Sequence, residues 1–367
     1  MSTQHGPITI KPINEVAEYL RNLIPPDIPG DYALKPMFEG LADEQDIRNG
    51  IIAFRDFLYL FCDCLITKGD SYAKPPKKPS GIADYPFLHN ITNLLVDIGY
   101  HGKLAEDGKS LLVTHLPLCA APKPKIPVSA QIACLRFLTL CGFLFAGVDL
   151  EAKTIPISET QILHVSYPAH PALPVGLRAM AIADMELRTG RRYWNDNNLL
   201  RCDYRLLKAE NTDMLEVLQD FLHPLPPDIQ KFALKLHQRY TDMGLTCVLS
   251  ILSDVSFAYV HISEGRKALS TREKYQQRVW EFCYSLKNGY CLFVRAKKTD
   301  KYTDVIAKFP LFLREKIATG YGCYRKLGRE RCQGDCQGIC LPLNDSILEM
   351  AKDIETWLDC EAGACPI

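Results

Sequence analysis

The sequence predicts an α+β protein made of two divergent tandem copies of a helix-hairpin-helix-strand-helix-strand-helix unit, with mostly antiparallel sheets and an N-terminal helical extension. Three observations carry that expectation. Apolar residues switch between helical and strand periods along the chain. The resulting order of elements occurs twice after residue 86. Marker residues also recur at near-constant offsets: Asp97-Ile98-Gly99 lies 145 residues before Asp242-Met243-Gly244, and His115 lies 146 before His261. Thr189-Gly190 lies 130 before Thr319-Gly320, and Cys202 lies 138 before Cys340. Duplicated units keep their connectivity as sequences diverge, so both halves are expected to share one strand order. The expected divisions are residues 1–85 (helical extension and Pro-rich loop), 86–224 (copy one) and 225–367 (copy two, with a Cys-rich metal-binding insertion).

The elements follow from local patterns. Asn14 opens an amphipathic run, Val16, Tyr19, Leu20 and Leu23, which Pro25-Pro26 stops. An apolar helix spans about Asp46 to Ile66, and residues 68–86, with four prolines, read as a loop. In copy one, Phe87–Ile98 is a helix and Lys103–His115 a hairpin turning at Asp107-Gly108. Ser129–Phe145 is a helix, Gln161–Tyr167 a strand and Ala172–Leu187 a helix. Asn198–Leu207 alternates strictly and reads as a strand, with Asp213–Leu222 a helix after it. In copy two, Asp228–Met243 is a helix stopped by Gly244, and Thr246–Ile262 is a hairpin. Ser270–Leu286 reads as a helix because Ser270 and Glu273 form a capping box. Tyr290–Lys297 is a strand, Thr303–Thr319 a helix broken at Pro310, Gly338–Pro342 a strand and Asp345–Leu358 a helix.

Composition narrows the function classes. The chain has 43 basic and 43 acidic residues, so its formal charge is zero. A nucleic-acid binder needs clustered positive charge, so that class is not expected. An apolar fraction of 47% with 23% charged residues belongs to a globular chain. The N-terminus shows no basic region followed by an apolar stretch, so no secretory signal is expected. Ile47–Ile66 and Ile132–Ala146 are apolar, but charges interrupt the first and the second is short, so neither is expected to span a membrane. Seven of the 15 cysteines, Cys62, Cys134, Cys141, Cys202, Cys247, Cys283 and Cys291, sit among apolar neighbours, and with the missing signal this points to the reducing cytoplasm.

One motif carries chemistry. Cys323, Cys332, Cys336 and Cys340 have the spacing C-x8-C-x3-C-x3-C within a stretch holding five glycines. Four thiolates satisfy a tetrahedral Zn²⁺, and glycines let a short chain fold around a small centre. Arg325, Lys326, Arg329 and Arg331 would offset the −2 charge of Zn(Cys)₄. An iron–sulfur cluster is the alternative occupant, and Cys360 and Cys365 are spare ligands. A site with four protein ligands is structural, because no open position is left for substrate.

Other constellations are weaker. No dinucleotide, P-loop, zincin or nucleophile-elbow motif occurs. His115 and His261 end equivalent hairpin strands, and His164 and His170 flank a loop. Arg191, Arg192, Tyr193 and Trp194 read as a loop edge. The helix and hairpin from Phe87 resemble half of a winged helix, but that helix has no Lys or Arg. The expected function is therefore a non-enzymatic binding or regulatory module with a structural zinc site, whose partner is a small molecule or a protein. One alternative is an enzyme with a polar site in a cleft between the copies, drawing on Arg201, Asp203, Arg205 and His164. The other is a weak nucleic-acid binder using residues 188–194 and 325–331.

Overall fold

The structure, a computed structural model, describes residues 10–77, 85–119, 126–190, 197–251, 255–262, 277–319 and 338–365. The chain divides into two units, Met1–Asp213 and Met214–Ile367. Both combine helices with an antiparallel sheet, so the α+β class holds.

The first unit runs α1 (Ile13–Arg21), α2 (Glu44–Lys68), α3 (Pro86–His101), β1 (Lys103–Leu104), β2 (Ser110–Thr114), α4 (His115–Cys119), α5 (Val128–Leu140), β3 (Leu144–Ala146), β4 (Ile162–Ser166), α6 (Leu173–Gly190) and α7 (Asn197–Leu200). α2 starts where the Asp43 side chain accepts a hydrogen bond from the Gln45 backbone N–H at 2.9 Å. Glu44 and Asp46 in its first turn favour the positive end of the helix dipole. α6 packs against both α2 and α3. The approach is close because small residues meet there. A Cβ on Gly50 of α2 would lie 2.5 Å from the Gly176 nitrogen of α6, and one on Gly99 of α3 would lie 2.6 Å from the Ala181 methyl. Phe54, Phe57, Phe61, Phe137 and Phe143 fill the core beside this crossing. The sheet has the order β1-β2-β4-β3, all antiparallel.

The second unit runs α8 (Met214–Leu222), α9 (Pro227–Asp242), β5 (Thr246–Ile251), β6 (Val255–Val260), β7 (Arg278–Ser285), β8 (Gly289–Val294), α10 (Thr303–Ile306), α11 (Leu311–Thr319), β9 (Ile339–Pro342), α12 (Asp345–Glu349) and α13 (Ala351–Ala362). Its five strands form an antiparallel meander, β5-β6-β7-β8-β9. Strand alternation sorts the side chains onto two different faces. One face carries Phe257, Tyr259, Trp280, Phe282, Tyr284 and Tyr290, with Tyr259 stacked on Trp280 at 3.7 Å. Phe221 of α8 and Tyr240 of α9 pack on it edge-on or tilted. Arg239 grips Asp359 of α13 with two hydrogen bonds, at 3.2 and 2.6 Å, and the Tyr240 hydroxyl donates to Asp359 at 2.9 Å. The opposite face carries Ser256, Ala258, Glu281, Cys283, Cys291, Phe293 and Cys340.

Four expectations need correction. The two sheets differ in strand order, 1-2-4-3 against a simple meander, so the expected common topology of two copies is not found. Asn198–Leu207 is not a strand. It holds α7, a turn with Cys202 at φ 50° and a 3₁₀ turn at Tyr204–Leu206. Both Arg201 and Arg205 are buried there, so the alternation does not separate a core face from a wet one. Within the expected helix Ser270–Leu286, residues 278–285 form β7. Trp280, Phe282 and Tyr284 alternate with Glu281, Cys283 and Ser285, a strand pattern; the capping-box residues Ser270 and Glu273 lie outside the described residues. The expected helix to Phe145 ends at Leu140, and Gly142 at φ 98° turns the chain into β3. The N-terminal helix α2 packs on α6 within the first unit.

The apolar runs at Ile47–Ile66 and Ile132–Ala146 fall in α2, and in α5 with β3. Among the described residues, no helix is long and apolar enough to cross a membrane.

Candidate functional site

The polar face of the second sheet buries a charge cluster. Arg278, Glu281 and Arg295 are 7%, 4% and 8% exposed. Arg278 donates to one Glu281 carboxylate oxygen at 2.6 Å, and Arg295 donates to the other. Ions in so dry a place need partners, and these three are partners to one another. Removing one partner of such a buried set costs about 3–5 kcal/mol.

Beyond β8 the chain turns sharply. Ala296 takes φ 46°, a left-handed conformation that costs a residue with a Cβ about 1–2 kcal/mol. The turn is held by Glu361 of α13. Its buried carboxylate accepts from the Lys297 backbone N–H at 2.8 Å, the Lys298 backbone N–H at 3.1 Å and the Tyr302 hydroxyl. Trp357 Nε1 donates to that same hydroxyl at 3.1 Å. The Lys297 ammonium donates to the Arg278 carbonyl oxygen at 2.8 Å. Between this turn and the start of β7 lies a hollow of about 230 Å³, lined by His261, Gln277, Arg278, Val279, Lys297, Lys298 and Glu361.

A row of thiols crosses the same face. Cys283 of β7 pairs with Cys291 of β8, and Cys340 stands on the edge strand β9 opposite Phe293. Hydrogen bonds with its two cysteine neighbours, with burial, push the Cys291 thiol far up. Cys340 is held below its ordinary range, first by the hydrogen bond from Cys291 and then by the Lys316 ammonium, against an opposing effect of burial. Among the described residues no three His, Cys, Asp or Glu side chains are placed to hold a metal ion. Of the expected ligands, Cys340 lies on β9, half-buried; Cys323, Cys332 and Cys336 lie outside the described residues, as do Arg325, Lys326, Arg329 and Arg331. The spare candidates Cys360 and Cys365 are joined to each other in a disulfide.

The remaining expected residues are dispersed. Arg201 and Arg205 are buried in the turn after α7, and desolvation lowers the Arg201 pKa. Asp203 between them is half-buried, and His164 is exposed on β4, opposite Leu112. The strand face that was to align the three with His164 does not form. His115 is buried, with Nδ1 3.2 Å from the Pro156 carbonyl oxygen, whereas His261 is exposed beside the hollow. Arg191, Arg192, Tyr193 and Trp194 lie outside the described residues.

Sequence reasoning missed Arg278, Glu281, Arg295 and Glu361. One signal was present: Arg278 and Glu281 interrupt a run of Val, Trp, Phe and Tyr, and a charge inside a fully buried strand needs a partner. No protein-family model, curated protein or solved structure gave a significant match to this chain.

Proposed function

We propose that this chain is a non-enzymatic binding or regulatory module of the cytoplasm, acting on a small molecule or a protein. Its second unit would carry a structural Zn²⁺ held by Cys323, Cys332, Cys336 and Cys340. The observation that carries the zinc reading is the place of Cys340. It is half-buried on an edge strand, directly after the other three cysteines, with its thiol held below the ordinary range. A thiolate is the form that ligates metal, and its cost here is already lowered. A bound zinc ion would supply a tetrahedral staple of sulfur ligands and no reactive position. An iron–sulfur cluster is the alternative occupant of the same thiols. The cytoplasmic location draws support from ten free cysteines among the described residues, since thiols in such number persist where the medium is reducing.

The staple would be local. Among the described residues, the aromatic face of the sheet has a packed core from α8, α9 and α13. Hydrogen exchange before and after chelation tests this. The expected result is faster exchange in residues 320–340 and the adjoining helix, with β5 to β8 still protected. Global unfolding on chelation would contradict it, because the metal would then carry the folding energy of the whole unit.

A further inference from the structure

Two thiols of the first unit meet where α2 packs on the end of α5. Phe57 and Phe61 of α2 stand edge-on to Phe143 and Phe137, with ring separations of 4.9 and 5.6 Å. Cys64 follows Phe61 by one helical turn and so continues that face of α2. Cys141 follows Phe137 by one turn and closes α5. This packing brings the two thiols into hydrogen-bond contact, with the Cys62 thiol near Cys141 as well. The backbone at Cys141 is fixed: its N–H donates to the Phe137 carbonyl oxygen at 3.1 Å. Gly142 beyond it turns at φ 98° against the Tyr167 ring, 3.1 Å from where a Cβ would stand. Both thiols are free, Cys64 half-buried and Cys141 fully buried. A single cysteine among apolar neighbours acts as a small hydrophobe. Two in contact, one of them reachable from solvent, can also be joined.

We propose that Cys64 and Cys141 are a redox modification site, joined in a reversible disulfide when the chain meets a peroxide. Exposure sets the order of events. The half-buried Cys64 is the thiol that a small oxidant reaches, and Cys141 is the one that resolves. The Cys64 thiolate attacks one peroxide oxygen and the O–O bond breaks. Hydroxide leaves and takes up the Cys64 proton as water, so Cys64 becomes a sulfenic acid. The Cys141 sulfur then attacks the Cys64 sulfur. The S–S bond forms, the S–O bond breaks, and the hydroxyl leaves as water with the Cys141 proton. The thiol pair gives up two electrons and the peroxide takes them. A dithiol reductant reverses the change by thiol–disulfide exchange. Burial holds Cys141 as a thiol, and the Lys68 ammonium, one turn beyond Cys64, favours its anion in the second step. A transient disulfide of this kind is compatible with a reducing compartment, where sensing disulfides form and are reduced again. The site is independent of the zinc reading and of the binding reading.

The test is peptide mapping of the full chain, reduced, treated with hydrogen peroxide while folded, and digested without reductant. Mass spectrometry is expected to find the Cys64 peptide linked to the Cys141 peptide, and dithiothreitol to release both. Cys62→Ala should keep the link, which separates Cys64 from its neighbour on α2. In Cys141→Ala the sulfenic acid on Cys64 has no resolving thiol, so trapping by dimedone should rise several-fold over the wild type. Circular dichroism shows whether each variant is folded, and the wild-type map stands without any variant. A folded wild type that gives no Cys64–Cys141 link would overturn the proposal. So would a link that forms only in denaturant, or oxidation of Cys64 to the sulfinic acid with Cys141 left as a free thiol. Equal dimedone labelling of folded Cys141→Ala and the wild type would remove Cys141 as the resolving thiol and overturn it too.

Discussion

Cys340 of the edge strand β9 packs against Cys283 and Cys291 of β7 and β8; its contact with Cys291 lowers the Cys340 pKa, while contacts with Cys283 first and Cys340 second raise that of Cys291. One cysteine is thereby fixed as a thiol and its neighbour eased toward thiolate. Of the four cysteines read as ligands, Cys340 is among the described residues, and its thiol is eased. Cys291→Ser keeps a donor at this position and Cys291→Ala removes it. In metal-free protein at neutral pH, alkylation of Cys340 should slow several-fold in Cys291→Ala and much less in Cys291→Ser. Mass spectrometry of the peptide ending β9 reads the difference. Equal rates in both variants would show that the hydrogen bond does not tune Cys340.

Glu281→Gln should destabilise the second unit by about 3 kcal/mol, because it takes the carboxylate charge away from two buried guanidiniums. Replacing Arg278, Glu281 and Arg295 together with Met, Leu and Met should recover most of that loss. Urea unfolding followed by the fluorescence of Trp280, buried in the same sheet, checks both. A single variant as stable as the wild type would remove the electrostatic role given to the cluster.

Gly176→Ala should cost about 1–3 kcal/mol, since its methyl would be driven into the Gly50 backbone at the α2–α6 crossing. Gly30→Ala is the control: a Cβ there meets nothing within 4 Å, and the change should stay within about 0.5 kcal/mol. Comparable melting temperatures for the two variants would mean that the helices do not cross so closely.

Stability should fall on the alkaline side. Burial pushes the Cys62, Cys134 and Cys247 thiols up to about 12. In the unfolded chain these thiols ionise near their usual 8.5, so above that pH the unfolded state has already released protons that the folded state still holds. Their contribution is complete below about pH 8.5 and is lost as pH rises toward 12, at about 1.4 kcal/mol per pH unit for each thiol. Denaturation midpoints at pH 8 and pH 10 test this, and Cys134→Ala should flatten the slope. A midpoint that does not move between those pH values would contradict the burial of these thiols.

The fold was legible where period and punctuation agreed. α9 shows Ile229, Phe232, Ala233, Leu236 and Tyr240 on one face and ends at Gly244, and it forms as expected. The break at Pro310 and the short β9 also follow their patterns. Errors came where one local signal was trusted over another. The Ser270-Glu273 pair suggested a helix, whereas the aromatic alternation of residues 280–284 belongs to β7. The alternation of residues 200–206 suggested a strand, yet buried arginines lie among its polar positions. The repeated element order could not be carried to topology, because strand pairing depends on contacts far apart in sequence. The site was least legible for the same reason: Glu361 meets Lys297 and Lys298 from more than 60 positions away, and no local pattern encodes that meeting.

Metal content, measured by elemental analysis on chain purified under reducing conditions, tests the central claim most directly. The expected result is about one zinc ion per chain in the wild type, with no iron, and a loss of most of it in Cys340→Ser and in each of Cys323→Ser, Cys332→Ser and Cys336→Ser. Cys283→Ser should retain the metal. Wild-type protein that is folded and reduced but carries no zinc, or variants at these four positions that hold as much as the wild type, would contradict the assignment.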